Sequence, residues 1–241
     1  MLSRNDLEGE SNEERFSDGL TQLKRQGASV LVVGSVQPAQ RRNLCRRLLG
    51  RTTVTPRRRV LVSTTGQSHD VSELLGSDSC TETAHTLVRY ATQARGAVAS
   101  DGDSSTMEPI APSIDDSPVT TTTLSELGIA ISSAIETFEL ESNGLAPAEL
   151  RVGVESLVPL LDEYGTERVF KFLHLTNGRV RTADGMVHYH LPMDRDSDTA
   201  SVLAPLFDII IELREQHGVP QERWSIDDGE LHSGWVSVSQ S

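Results

Sequence analysis

Short β-branched runs alternate with apolar stripes at helical spacing along most of this chain. Val30 to Val33 is a continuous apolar run closing at Gly34, which reads as a buried strand. Ahead of it, Phe16, Leu20 and Leu23 recur at helical spacing and predict a helix from about Glu13 to Gln26, with Ser11 as N-cap. After Gly34 comes a turn with Pro38 near its end, then a helix to Gly50. On a 100° wheel, Leu44, Cys45, Leu48 and Leu49 of that helix share one arc. Arg42, Arg46, Arg47 and Arg51 fall opposite, while Arg41 points back into the apolar arc. Cys45 is therefore expected in the core.

Val60 to Val62 reads as a second buried strand and Thr86 to Tyr90 as a third, with a short helix near Val71 to Leu75 between them. Leu127, Ile131, Ile135 and Phe138 give a helical stripe from Leu124 that ends near Asn143 and Gly144. Leu150 to Val154 is an apolar strand interrupted by Arg151 and Gly153. Leu157 to Leu161 and Val169 to Leu175 read as separate helical pieces. From Gly185 to Leu191 the pattern alternates, with Met186, His188 and His190 on one face and Val187, Tyr189 and Leu191 on the other. Asp208 leads into a strand from Ile209 to Leu213, and a hairpin is predicted around Asp227 to Gly229, with Trp224 and Trp235 packing. Alternating helices and short apolar strands predict an α/β fold: a mostly parallel sheet with helices on both faces and a C-terminal β-hairpin at one edge.

Composition adds two constraints. Between Gly96 and Thr123 the chain is rich in Pro, Ser, Thr and Asp, with five acidic residues and no basic one, and is expected to be a disordered insertion at about 97–123. Overall, 35 acidic residues face 22 basic ones, of which only Lys24 and Lys171 are lysine. An acidic, lysine-poor chain suits a cytoplasm rich in salt, and it resembles proteins of halophilic archaea. No apolar run approaches the length of a membrane span and no signal peptide opens the sequence, so a cytoplasmic protein is expected. Cys45 and Cys80 stand in unrelated contexts and suggest neither a disulfide framework nor a zinc cluster.

Against this anionic background the stretch from Gly27 to His69 holds eight arginines and no carboxylate. Arg42, Arg46, Arg47, Arg57, Arg58 and Arg59 form a patch for an anion, a nucleic acid or an acidic partner. The favoured reading is a solvated face paired with carboxylates elsewhere, because no aromatic side chain is interleaved for base stacking.

Three segments together resemble the RecA-type ATPase core, specifically its KaiC-like branch: the strand–glycine–helix unit at 29–50, the stretch Leu150 to Leu157, and the closing stretch Leu206 to Leu213. The stretch Val187 to Pro192, with Asp194, Arg195 and Asp196, is similar to halophilic-archaeal proteins described only as KaiC-like or transducer-like. The resemblance implies a three-layer RecA-like domain at 27–241 behind an acidic segment and helix at 1–26. It also implies a phosphate loop, and a carboxylate at a strand end that arranges magnesium and water. Laid on the phosphate-loop pattern, Gly34 matches the first glycine, but Ala39, Gln40 and Arg41 stand where Gly, Lys and Ser or Thr belong. Glu155 and Ser156 occupy the second acidic motif. Without the lysine and the hydroxyl, ATP hydrolysis and an ATP cofactor are not expected.

His188 and His190 offer two metal ligands on one strand face, with Asp194 or Asp208 as a third. Histidines bonded to loops beside the sheet, and an Asp208 that caps the turn, are the favoured alternative. The leading expectation is a catalytically degenerate RecA/KaiC-like domain serving as a regulatory or protein-interaction module, in signalling, with an unidentified protein partner. The second is a non-hydrolysing nucleotide or anion binder that uses Arg41 and the amides after Gly34. The third is nucleic-acid binding through the arginines at 41–59.

Overall fold

The computed structural model describes residues 4–50, 57–66, 84–91, 118–226 and 229–238. Five α-helices can be followed there in chain order: α1 (Arg4–Gln26), α2 (Pro38–Leu49), α3 (Leu124–Ser142), α4 (Val158–Thr182) and α5 (Asp198–Leu203). The strands are β1 (Ala28–Val33), β2 (Arg58–Ser63), β3 (His85–Tyr90), β4 (Val119–Thr121), β5 (Leu150–Val154), β6 (Met186–Leu191), β7 (Ile209–Gln216), β8 (Val219–Ile226), β9 (Leu231–His232) and β10 (Val236–Ser237). No helix among the described residues is long and apolar enough to cross a membrane.

The strands form one sheet in the order β10-β8-β7-β1-β6-β5-β2-β3-β4, with β9 also on β8. From β7 to β4 every neighbouring pair is parallel, and β8 joins β7 antiparallel. Parallel neighbours need a crossover, and α2, α3 and α4 supply the helices for it. The strands at the centre are buried on both faces, which is why they read as continuous apolar runs.

Alternation along β1 divides the core in two. Val30 and Val32 pack with Leu44, Leu48, Ile209, Ile211 and Leu213, covered by Phe16, Leu20 and Leu23 of α1. Leu31 and Val33 face the other way, into Ile131, Ile135, Phe138, Leu173 and Tyr189 beneath α3 and α4. A sheet buried between two helical layers follows. The structure therefore carries the expected α/β sheet with helices on both faces and antiparallel strands at one edge.

Local signals set several boundaries. Thr123 and Glu126 form a reciprocal capping box at the start of α3, and Asn143 ends it in the left-handed conformation at φ 54°. The two helical pieces expected after β5 are both present within α4, separated at Gly165, whose backbone (φ 74°, ψ 166°) is not helical.

Three expectations need correction. Ser11 lies inside α1 and is no N-cap, because the helix begins at Arg4. Val119–Thr121 is a strand beside β3, so the acidic insertion does not run to 123: this β-branched triplet is ordered by pairing with Val88 to Tyr90. The rest of that insertion, the helix expected near Val71 to Leu75 and the residues Arg51 and Cys80 lie outside the described residues. The strand expected to stop at Leu213 runs to Gln216 and turns at His217 and Gly218, both at positive φ, into β8. The hairpin across 227–229 is the smaller of the two, pairing Ser225 with His232 and Ile226 with Leu231. Trp235 is stacked by the guanidinium groups of Arg214 and Arg223, 3.7 and 4.9 Å from its ring centroid, while Trp224 donates to Glu222 Oε1 at 3.0 Å. Trp224 also packs against the core beneath α1, as its pattern predicts.

Candidate functional site

The loop from β1 to α2 is only Gly34 to Gln37. Gly34 sits at φ 111°, and a Cβ there would lie 2.1 Å from the carbonyl oxygen of Leu213. Both the conformation and the close approach of β7 demand glycine. Its N–H donates to Met193 O at 2.8 Å, and Ser35 Oγ donates to Pro192 O at 3.0 Å. Pro38 opens α2 and contributes no N–H to the helix end.

The position of the phosphate-contacting lysine is turned inward. Gln40 is buried, and its Nε2 donates to Gln221 O at 3.2 Å and to Arg214 O at 3.4 Å, on the antiparallel edge. Ala39 is exposed and Arg41 half-buried. The second acidic motif is also engaged. Glu155 Oε2 accepts from Ser63 Oγ (3.0 Å), Thr64 N (3.1 Å) and Thr65 N (3.3 Å), and Oε1 accepts from Thr65 Oγ1 (2.7 Å). The carboxylate thereby gathers the backbone leaving β2. Ser156 is buried, and its Oγ accepts from Val158 N at 3.3 Å, over the start of α4.

His188 and His190 lie on β6 facing α2, where α2 brings a third side chain. Cys45 Sγ is 3.2 Å from His188 Nε2, and ligand atoms of Cys45, His188 and His190 all lie within 4.8 Å of one another. The two imidazoles meet edge to face with centroids 5.4 Å apart. Gly153, opposite His188 in the β5–β6 register, makes the space: a Cβ there would stand 2.7 Å from His188 Cε1. His190 is 2% exposed, and neither ring nitrogen has a hydrogen-bond partner among the described residues.

Low polarity governs the charge states in this cluster. Burial, reinforced by the Glu155 carboxylate and opposed by Arg41, pushes the Cys45 thiol up to about 12. Burial, and then the Arg151 charge, takes His188 down to about 3. Burial holds His190 well below its ordinary value, with His188 and Arg41 adding to the effect. All three groups are therefore neutral around pH 7.

The histidines are not bonded to loops, and neither expected carboxylate joins them. Asp208 Oδ2 accepts from Ser29 N (2.8 Å) and Ser29 Oγ (2.7 Å), and its carboxylate pairs with Arg181. Its carboxylate thus joins the entry of β7 to β1 and α4, rather than bonding within the turn it was expected to cap. Asp194 is exposed in the loop after β6 and receives Ser197 N on its backbone oxygen. Cys45 is placed in the core by the sequence pattern, which does not link it to the histidines. Its separation of 143 residues from His188 hid the relationship, and the only local hint was its place on the inward arc of α2.

The arginine cluster is largely internal wiring. Arg47 pairs with buried Glu222, and Arg58 with Glu141 (2.7 Å) and Glu149 (3.3 Å). Arg57 Nη1 donates to Ala148 O at 2.5 Å. Arg59, only 2% exposed, donates to Leu49 O (3.2 Å) and Gly50 O (2.5 Å), satisfying the carbonyls at the end of α2. Arg42 and Arg46 have no ion-pair partner among the described residues, and Arg46 is exposed. Arg151, set in an apolar strand, is buried against Met186 Sδ, and burial lowers it to about 10 with help from Arg57 and Arg59. Arginines interrupting apolar strands were the available sign of these interior roles.

These features define an α/β protein with a mainly parallel sheet, a glycine loop leaving its central strand, and a polar cluster under the helix that follows. The chain belongs to a family of unknown function, DUF7504, which it matches over residues 27–213, from the turn before β1 into β7. No curated protein matches it.

Proposed function

We propose that this chain is a RecA/KaiC-like domain that no longer hydrolyses ATP and serves as a regulatory or protein-interaction module in a salt-rich cytoplasm. The observation that carries this reading is the inward turn of Gln40 onto the carbonyls of Arg214 and Gln221. The architecture is of the right kind, a glycine loop at the C-terminal edge of a central parallel strand, where α/β sheets bind ligands. The groups that ATP and magnesium require do not fit. No ammonium can reach the phosphates from position 40, the residue at 41 cannot ligate a metal, and the Glu155 carboxylate is already held by four donors. Such a domain presents surfaces and does not turn over a nucleotide.

The test is ATP hydrolysis by the full chain in molar KCl with Mg²⁺, beside its Glu155→Gln variant. Equal background rates are expected. Hydrolysis above background that the substitution abolishes sinks the reading.

One observation favours a second reading, anion binding. Arg47, Arg57, Arg58 and Arg59 are all engaged inside the protein, whereas Arg41 has no ion-pair partner among the described residues. Calorimetric titration with ATP, ADP and phosphate would show binding that Arg41→Ala removes. For nucleic acid the patch is reduced to Arg42 and Arg46, and high cellular salt weakens such contacts further.

A further inference from the structure

His190 poses a physical problem. A neutral imidazole has one donor and one acceptor, and both nitrogens here are buried without partners. Leaving buried polar groups unsatisfied forfeits the hydration they had in the unfolded chain. Yet the ring sits beside a thiol and a second buried imidazole, that of His188, for which Gly153 makes room. An ion that accepts a lone pair from each of the three would satisfy the acceptor nitrogen of His190, leaving only its N–H unpaired.

We propose that Cys45, His188 and His190 form a binding site for one d¹⁰ transition-metal ion, zinc(II) or copper(I), between α2 and the sheet. One sulfur and two imidazole nitrogens are the donor set that borderline and soft ions prefer over magnesium or calcium. At bond lengths of about 2.3 Å to sulfur and 2.0–2.1 Å to nitrogen, a tetrahedral ion holds its ligand atoms about 3.4–3.6 Å apart. The Cys45–His188 separation of 3.2 Å is already close to that, and the widest spacing, at most 4.8 Å, would contract by up to about 1.2–1.4 Å. Binding forms one metal–sulfur bond and two metal–nitrogen bonds, the Cys45 thiol proton leaves to solvent, and a zinc ion would keep one water as its fourth ligand. Copper(I) and the thiolate cancel in charge, which suits a dry site. Zinc(II) leaves one positive charge, opposed by Arg41 and Arg151 and favoured by Glu155. The proposal does not rest on the RecA-like reading, because these three side chains meet whatever the loop binds.

The full chain, stripped of metal and kept reduced in molar KCl, is titrated with cobalt(II) as a spectroscopic stand-in for zinc, and with copper(I) against a chromophoric chelator. One equivalent of at least one ion should bind, releasing one proton. With cobalt, a thiolate charge-transfer band should appear. The chain has two cysteines, so the band should persist in Cys80→Ser and vanish in Cys45→Ser. His190→Gln should lose more than the roughly 10–100-fold in affinity that removing an outer-shell partner costs. The relative affinities of the two titrations identify the ion. If Cys45→Ser fails to fold, the wild-type and Cys80→Ser spectra still assign the sulfur. The proposal is overturned if neither ion binds stoichiometrically, or if binding survives unchanged in Cys45→Ser or His190→Gln.

Discussion

Gly153 lies directly opposite His188 across the β5–β6 ladder, and a Cβ at position 153 would stand 2.7 Å from the imidazole Cε1 and 3.0 Å from Nε2. The glycine is there to admit the histidine. Because the imidazole is itself fully enclosed, it has little room to yield. Gly153→Ala should destabilise the protein by about 1–3 kcal/mol, the cost of overpacking a tight core. In a His188→Ala background the same substitution should cost less than half as much. Urea unfolding of the four proteins gives that coupling directly, and additive effects would contradict the steric account.

Arg59 and Arg46 both belong to the arginine-rich stretch, but only one is structural. Arg59→Ala leaves the carbonyls of Leu49 and Gly50 without their buried charged donor. A loss of about 2–4 kcal/mol is expected, as for other buried charge-assisted contacts. Exposed Arg46→Ala should stay within about 0.5 kcal/mol of the parent. Chemical denaturation of both variants separates interior wiring from surface charge.

Gln40→Lys restores the residue type of a phosphate loop without restoring its geometry. No ATP turnover is expected, because position 40 points at the carbonyls of Arg214 and Gln221. A measurable Mg²⁺-dependent rate in this variant would show that the side chain can swing outward. Gln40→Ala should cost about 1–3 kcal/mol by leaving those acceptors unpaired.

Two buried tyrosines, together with the Cys45 thiol, weaken the folded state at alkaline pH. Burial raises Tyr189, whose hydroxyl donates to Asn177 Oδ1 at 2.9 Å. Burial raises Tyr90 as well, followed by its hydrogen bonds with Tyr164 and Glu163. The unfolded chain releases these protons near the ordinary tyrosine value of about 10, whereas the folded protein retains them. Above that pH the folded state therefore binds more protons, and stability falls as pH rises, by up to about 1.4 kcal/mol per pH unit for each group. Unfolding midpoints measured from pH 9 to 11 should decline, and Tyr189→Phe should flatten the decline.

How much of this was legible in advance depended on distance along the chain. The inward face of β1, the stripe of α3 and its end at Asn143 follow from residues within a turn or two of one another, so periodicity and capping chemistry disclosed them. The polar end of β7 was missed, since Glu215 and Gln216 belong to an antiparallel edge where alternation with apolar residues is not required. The face shared by His188 and His190 was visible as alternation, but the third member of their cluster was not.

The sequence by itself determined the layers: which runs are strands, which faces of the helices are buried, and that a glycine loop leaves the central strand without the residues of phosphate chemistry. Tertiary structure alone decided where the polar groups among them point. Gln40 meets carbonyls 174 and 181 residues away, Glu155 meets the end of β2 about 90 residues earlier, and Cys45 meets His188 across 143 residues. Hydrophobic periodicity encodes the face a residue presents, but carries nothing about which distant polar atom waits on that face. That depends on the order of strands in the sheet, which only the folded chain fixes.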